Sequence, residues 1–228
     1  MGYCSRSQAA ALIRDGRVEL NGRIIRDPEN SVRIGRDRVE VDGTLIAELP
    51  KVYLVMNKPR GVVTTACDEK GRNTVYDLLE PGLTWVGLVG RLDKASEGLL
   101  LLTNDSEWAA MITDPATHLD KTYHVQVDQV ADDRLLAKIA RGTTVDGDYV
   151  LVKAARVLRR GEKHSWVEIV LDEGKNRHIR RLLEALDVKV LRLVRVAVGP
   201  LELGDLKKGA VRELALREKQ VMDRALLG

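Results

Sequence analysis

The stretch from Gly90 to Asp105, GRLDKASEGLLLLTND, puts a carboxylate, Asp93, between Arg91-Leu92 and Lys94, six residues ahead of the four leucines Leu99 to Leu102. A run of that kind suits a strand buried on both faces. A carboxylate so near a buried element is costly unless something pairs with it. Two readings follow. Asp93 is a loop aspartate with its side chain in water, the ordinary fate of that residue, or it is a carboxylate held for chemistry. Paired carboxylates can cleave a glycosidic bond, and Asp93 and Glu97 lie four residues apart. Across a turn, however, that spacing is expected to leave one buried and the other in solvent. The four histidines, His118, His124, His164 and His178, are scattered and form no His-x-x-x-His pair, so a metal-dependent hydrolase is discounted. No Gly-x-x-x-x-Gly-Lys-Ser/Thr loop for nucleotide phosphates occurs.

Cations gather in two places on a chain whose net charge is only +3. From Ser5 to Arg26 there are five arginines against Asp15 and Glu19, a balance of 5 − 2 = +3. From Gly174 to Arg195 five arginines and two lysines face Glu184 and Asp187, a balance of 7 − 2 = +5. Such stretches suit two faces for a polyanion, the bland alternative being solvated helix faces. The 228 residues, 44% hydrophobic and 31% charged, allow one large domain or one large and one small. No apolar run of membrane-spanning length and no signal peptide is expected. Cys4 and Cys67 lie far apart and fit two free thiols in a reduced, cytoplasmic protein.

These residues need elements to hold them. SRSQAAALIRDG predicts a helix capped by Ser5 or Ser7 and stopped at Gly16. RVELNGRII alternates around Asn21-Gly22, a hairpin signal, and DRVEVDG is a further short strand. Leu49-Pro50 is the expected hinge, dividing the chain into residues 1–49 and 50–228. Beyond it KVYLVMNKP reads as a strand, and RGVVTTACDEKGRNTVYDLL as a strand, a polar turn and a short helix. TWVGLVGRLDKASEGLLLLTND reads as strand, turn, strand, and SEWAAMITDP as a helix capped by Ser106. KTYHVQVD, HSWVEIVLDEG and KVLRLVRVAVGPLEL are strands, whereas ADDRLLAKIARG and NRHIRRLLEALD are helices. Strands outnumber helices and several adjoin directly, which argues α+β with a mainly antiparallel sheet.

The segment from Cys4 to Gly43 resembles the S4 RNA-binding domain, in which a helix and the following loop present arginines to the phosphates of structured RNA. Such domains usually start with an earlier helix. Only Met1-Gly2-Tyr3 precede Cys4, so the first helix is expected to be missing. The resemblance implies RNA contacts for Arg6, Arg14 and Arg17, the last two being three apart and read as sharing a helix face.

Four blocks, YLVMNKPRGVVTT, VGRLDKASEGLLLLTND, KTYHVQV and EGKNRHIRRLLEALDVKVLRLVRVAVGPLELGDLKKGAVREL, follow the order found in pseudouridine synthases, in the RsuA-like branch that modifies ribosomal RNA. With the S4-like start, the resemblance covers nearly the whole chain. It implies an enzyme that isomerises a uridine without cofactor or metal, working as a monomer on ribosomal RNA or a ribosome assembly intermediate, with no membrane partner. It makes Asp93 the nucleophile on a flipped-out base, attacking C1′ of the ribose or C6 of the ring. Tyr123 is then the tyrosine that stacks on the uracil, with acceptance of the C5 proton a further role. Arg180 is the arginine that ion-pairs with the nucleophile, and Arg91 holds the flipped position open or contacts a phosphate. Lys175, Arg177 and Arg181 are further RNA contacts. Lys175 stands where arginine is common and His178 where glutamine is common, so His178 is read as a hydrogen-bonding group or a source of pH dependence below neutrality. The wording of the Asp93 block leans to large-subunit 23S rRNA. The alternatives are the same chemistry on small-subunit 16S rRNA and a non-catalytic S4-type RNA-binding protein.

Overall fold

The structure is a computed structural model describing residues 2–47, 49–66, 68–172 and 177–227. It begins with helix α1 (Arg6–Arg14), which Ser5 and Gln8 cap reciprocally. Strands β1 (Val18–Leu20), β2 (Arg23–Ile25), β3 (Val39–Val41) and β4 (Thr44–Leu45) form a four-stranded sheet in the order β2-β1-β3-β4. Asn21-Gly22 does make the β1–β2 turn, both residues having positive φ, which asparagine and glycine tolerate best. Val18 and Val41 are the buried residues of this unit among those described. Such a core is small, in keeping with an appendage.

The remainder is built on a nine-stranded sheet. In chain order it contains β5 (Tyr53–Lys58), β6 (Gly87–Val89), β7 (Glu97–Thr103), α2 (Ser106–Thr113), β8 (Lys121–Val127), α3 (Asp133–Arg141), β9 (Thr143–Val145), β10 (Asp148–Val150), β11 (Ala154–Arg160), β12 (Ser165–Leu171), α4 (His178–Ala185), β13 (Val190–Val198), β14 (Leu201–Glu202), β15 (Val211–Glu213) and α5 (Leu216–Leu227). The sheet runs β11-β12-β8-β13-β7-β5-β15, with β6 on β7 and β14 on β13, while β9 and β10 form a separate hairpin. All these pairs are antiparallel except β13 with β7. The expected α+β class with a mainly antiparallel sheet is therefore what the chain adopts. Among the described residues no helix is long and apolar enough to cross a membrane.

The four leucines lie in β7, all of whose residues are buried. Leu99 and Leu101 pack with Trp108, Ile112 and Met222, and Leu100 and Leu102 pack with Val75 and Val86 on the other face. At about 25 cal/mol per Å² of apolar surface, such two-sided burial anchors the strand at the middle of the fold. Gly98 has φ +103, and a Cβ there would come 2.2 Å from the Arg195 carbonyl oxygen. The close approach of β7 and β13 thus requires glycine.

Some expectations are corrected. Residues 60–66 form no strand; Val63 makes an isolated bridge with Thr74, and Val75–Leu78 is a 3-10 turn. Thr64 instead turns its hydroxyl to the Leu92 carbonyl. Asp105, not Ser106, caps α2, accepting from the Trp108 N–H. Its carboxylate also accepts from the Tyr53 hydroxyl at 2.8 Å, which ties the cap to β5. The last expected strand is a hairpin, β13 to β14, turning at Gly199-Pro200. Strands β9, β10, β11 and β15 and helix α5 were not read from the sequence. Cys4 is a free thiol, and Cys67 lies outside the described residues.

Candidate active site

Asp93 lies in the loop between β6 and β7, which Gly90 enters with φ +72. Five consecutive carbonyls of this loop accept hydrogen bonds from elsewhere in the chain. Thr64 Oγ1 donates to Leu92 O at 2.6 Å, the Gly61 N–H to Lys94 O at 2.8 Å, and Arg180 Nη2 to Ala95 O at 3.1 Å. Lys58 Nζ, fully buried at the end of β5, donates to Asp93 O at 3.2 Å and Ser96 O at 2.9 Å, as well as to Pro59 O at 3.1 Å. Burial pushes the Lys58 ammonium down to about 8, against the opposing pull of Asp93 and Glu97. A loop held at five consecutive carbonyls keeps its aspartate in one place, as positioned chemistry demands.

Glu97, the other carboxylate of the stretch, is buried at 2% exposure. Arg192 grips it with two bonds, Nε to Oε1 at 2.8 Å and Nη2 to Oε2 at 3.0 Å, and Lys208 Nζ reaches Oε2 at 2.5 Å. Burial pushes this carboxyl up, but the Arg192 and Lys208 bonds outweigh it and hold it below the usual range. Arg192 also lies over the Trp166 ring, 5.8 Å from its centre. A carboxylate clamped in this way braces the start of β7 and is not a free partner for Asp93, which disposes of the paired-carboxylate reading.

Asp93 faces a cavity of about 470 Å³, within the range of ligand sites. Arg91, Tyr123, Arg177 and His178 line it with Asp93, above an apolar floor that includes Leu101, Ile112, Leu171 and Leu193. Residues that are far apart in sequence thus meet in one cleft. His178 is buried, and its Nε2 donates to Leu151 O at 2.7 Å, the hydrogen-bonding role read for it. Arg177 is exposed and precedes α4 in a left-handed conformation, φ 50.

Other predicted residues are placed differently. Arg180 and Asp93 form no direct ion pair. Arg180 gives Nη2 to the Ala95 carbonyl, and its buried Nε has no hydrogen-bond partner among the described residues. Burial is the main influence lowering its guanidinium pKa, with Arg177 adding to it and Asp93 opposing it. Arg180 is therefore tied to the Asp93 loop through the backbone at Ala95. Arg181 does not face outward. It donates to Val145 O at 2.9 Å and lies 3.4 Å from Asp146 and 3.6 Å from Asp148, stapling α4 to the β9–β10 turn. Arg6 and Arg14 are exposed near the two ends of α1. Arg17 lies beyond the helix, because Asp15 and Gly16 end it, and shares no helix face with Arg14. It is bound to Asp42 by two bonds of 2.9 and 2.5 Å. Lys175 lies outside the described residues.

Sequence reasoning missed Lys58, Thr64, Lys121, Arg192 and Arg195. A lysine closing an apolar strand was a usable signal for Lys58. The others are ordinary polar positions until the sheet registers are known.

Comparison with known proteins agrees with this arrangement. Residues 52–185 match the family described as RNA pseudouridylate synthase, and residues 1–44 match the S4 domain. The chain is 36% identical over 220 residues to ribosomal large subunit pseudouridine synthase B of Bacillus subtilis (strain 168), covering 95% of this chain and 89% of that protein. It is 40% identical over 215 residues to an uncharacterised RNA pseudouridine synthase of Rickettsia typhi (strain ATCC VR-144 / Wilmington), covering 94% and 88%. A crystal structure of a pseudouridylate synthase superposes with a TM-score of 0.68 at 29% identity, covering 96% of this chain and 94% of that one. An archaeal box H/ACA Nop10–Cbf5 complex, at 16% identity and a TM-score of 0.51 over 68% of this chain and 50% of that one, shares the fold. With its S4 domain, its mainly antiparallel sheet and a cavity lined by the residues of the family blocks, this chain belongs to the RNA pseudouridine synthases, in the RsuA-like group.

Proposed function

We propose that this protein converts one uridine of large-subunit ribosomal RNA to pseudouridine, with Asp93 as the nucleophile. The observation that carries the reading is that Asp93, Tyr123 and Arg91 line one cavity, with Asp93 and Arg91 in a loop held at five consecutive carbonyls. The target base leaves the RNA stack and enters this cavity. The Asp93 carboxylate attacks the nucleotide covalently, the C–N glycosidic bond breaks, the ring turns and C5 bonds to C1′, releasing the carboxylate. The product is an isomer, so no electrons or groups are exchanged with a cofactor. Tyr123 stacks on the uracil and Arg91 holds the vacated place in the RNA. Arg180 holds the Asp93 loop through its bond to the Ala95 carbonyl.

The division of labour we infer is RNA capture by residues 1–49 and chemistry by residues 50–228. Arg6, Arg14 and Arg177 are exposed cations suited to phosphates, and Lys175 joins them on sequence grounds. Free ribosomal RNA or an assembly intermediate is the expected substrate, because a base that must flip has to be reachable. The large-subunit assignment is supported by the Bacillus subtilis relative's description.

The test is a carbodiimide modification map of both ribosomal RNA transcripts after incubation with the protein. One new pseudouridine in the large-subunit transcript is expected. A site in the small-subunit transcript moves the target and keeps the chemistry. No site in either, with RNA still bound, makes the protein a binder.

A further inference from the structure

Arg195 stands on β13 directly opposite Tyr123 of β8, so the two side chains leave the same face of the sheet. Lys121, two residues before Tyr123, shares that face. All three line the cavity with Asp93. Arg195 is 7% exposed. Its Nε donates to Leu99 O at 2.7 Å, and among the described residues no carboxylate and no further acceptor reaches it. Lys121 is half-buried and gives Nζ to Asp172 O at 3.3 Å. Burial, then the nearby Arg195, push its ammonium down, while Asp172 and Asp120 pull the other way. Arg192 offers the contrast, its charge answered by Glu97. A buried guanidinium without an anion is unfavourable, and a fold that keeps one beside a cavity presents it to a ligand.

We propose that Arg195, with Lys121 beside it, is a catalytic cation that stabilises negative charge on the uracil ring during the reaction. The inference rests on the reading of Asp93 given above. Wherever Asp93 attacks, the ring receives an electron pair. Attack at C6 forms a C6–O bond and sends the pair through C5 to O4. Attack at C1′ forms a C1′–O bond, breaks C1′–N1 and leaves the pair on N1, O2 and O4. On the C6 route C1′–N1 then breaks and its pair stays on N1. On either route C5 uses the ring's pair to bond C1′, the carboxylate departs from C6 or C1′, and the proton lost from C5 is balanced by one taken up at N1. A neutral uracil does little to satisfy a buried guanidinium, and the charged ring does much more. The interaction therefore strengthens as charge develops, which is what lowers a barrier. A phosphate is the poorer occupant, because it stays with the backbone at the cavity mouth, where Arg91 and Arg177 are exposed.

The experiment compares wild type, Arg195→Gln and Lys121→Met under single-turnover conditions. The probes are transcripts of both bacterial ribosomal RNAs made with uridine or with 5-fluorouridine, and the readout is appearance of the carbon-linked nucleoside, which on fluorouridine RNA keeps its fluorine and takes up water at C6 because there is no C5 proton to lose. Fluorine at C5 withdraws electrons and steadies the ring anion, so it compensates in part for a missing cation. Arg195→Gln is expected to slow uridine RNA on the order of 10²–10³-fold, as for loss of one preorganised donor. The loss on fluorouridine RNA should be smaller, and RNA affinity with its salt slope should be unchanged. Lys121→Met should repeat the pattern at smaller size, and it supplies the answer if Arg195→Gln does not fold. A wild-type rate overturns the inference. So does an equal loss on both RNAs, the signature of a purely structural role, or a weaker, less salt-dependent affinity with normal turnover of bound RNA. If wild type forms no carbon-linked nucleoside on either transcript, the reading of Asp93 fails first.

Discussion

Replacing Asp93 by asparagine keeps size and hydrogen bonding and removes the charge proposed to attack. Pseudouridine formation should become undetectable, while RNA affinity stays close to wild type because phosphate contacts dominate it. Turnover near the wild-type rate would falsify the assignment. Lys58 makes a second residue-scale prediction. Its ammonium has three N–H donors and bonds three carbonyls, two of them in the Asp93 loop. A neutral amine has a donor fewer. Because burial holds its pKa at about 8, the single-turnover rate should fall as pH rises through about 8. Stability moves the other way. Between the folded value of about 8 and the unfolded value of about 10.4 the unfolded chain binds the extra proton, so Lys58 contributes an increase in stability with pH across that window. A rate that stays flat to pH 9.5 would exclude the Lys58 ammonium as a tie on the loop.

Among the elements, β7 bears the greatest demand, being buried on both faces while carrying the Asp93 loop at its start. Glu97 anchors that start to β13 through Arg192, and Lys208 approaches from the segment before β15. Arg192 and Lys208 are 37% and 56% exposed, so both can turn to water if the carboxylate is lost. Glu97→Ala is therefore expected to destabilise by about 3 kcal/mol, the low end for a broken buried pair, as read by urea unfolding. The pH dependence has the usual carboxylate sign. A folded pKa held below the unfolded one contributes stability above the unfolded value, which is lost as pH falls through the folded value. Wild type should lose melting temperature in acid more steeply than Glu97→Gln, and parallel curves would show that the clamp contributes nothing.

For the whole molecule, the question is what the first unit adds to the second. With Val18 and Val41 as its described buried residues, it has little core and presents arginines instead. Arg6→Ala with Arg14→Ala should weaken RNA binding and flatten its salt dependence by roughly 0.7–0.9 log units per lost phosphate contact, with turnover of bound RNA retained. Arg17→Ala should leave the slope unchanged, because Arg17 is already bound to Asp42, and should change stability little, as for an exposed pair. Affinity against salt for these variants and for a chain starting at Lys51 measures the contribution. Equal slopes throughout would mean that residues 1–49 do not bind RNA.

Local rules were enough for α1 with its serine cap, the Asn21-Gly22 turn, the two-faced leucine strand and the α+β class, because caps, turns and hydrophobic period are properties of neighbours in the chain. The family blocks likewise singled out Asp93, Tyr123 and Arg91, and all three meet in the cavity. What the tertiary structure alone decided is which charges are already answered. Arg14 and Arg17 look alike in sequence and both are exposed, yet the second is held by Asp42, 25 residues away. Arg180 and Arg181 are neighbours, yet one reaches the Asp93 loop and the other a distant hairpin. Arg192 and Arg195 lie three apart on β13, and only the sheet register gives Glu97 to the first and leaves the second, among the described residues, without a carboxylate beside the cavity. Ion pairing depends on distance in space and on burial, and neither is a function of spacing along the chain.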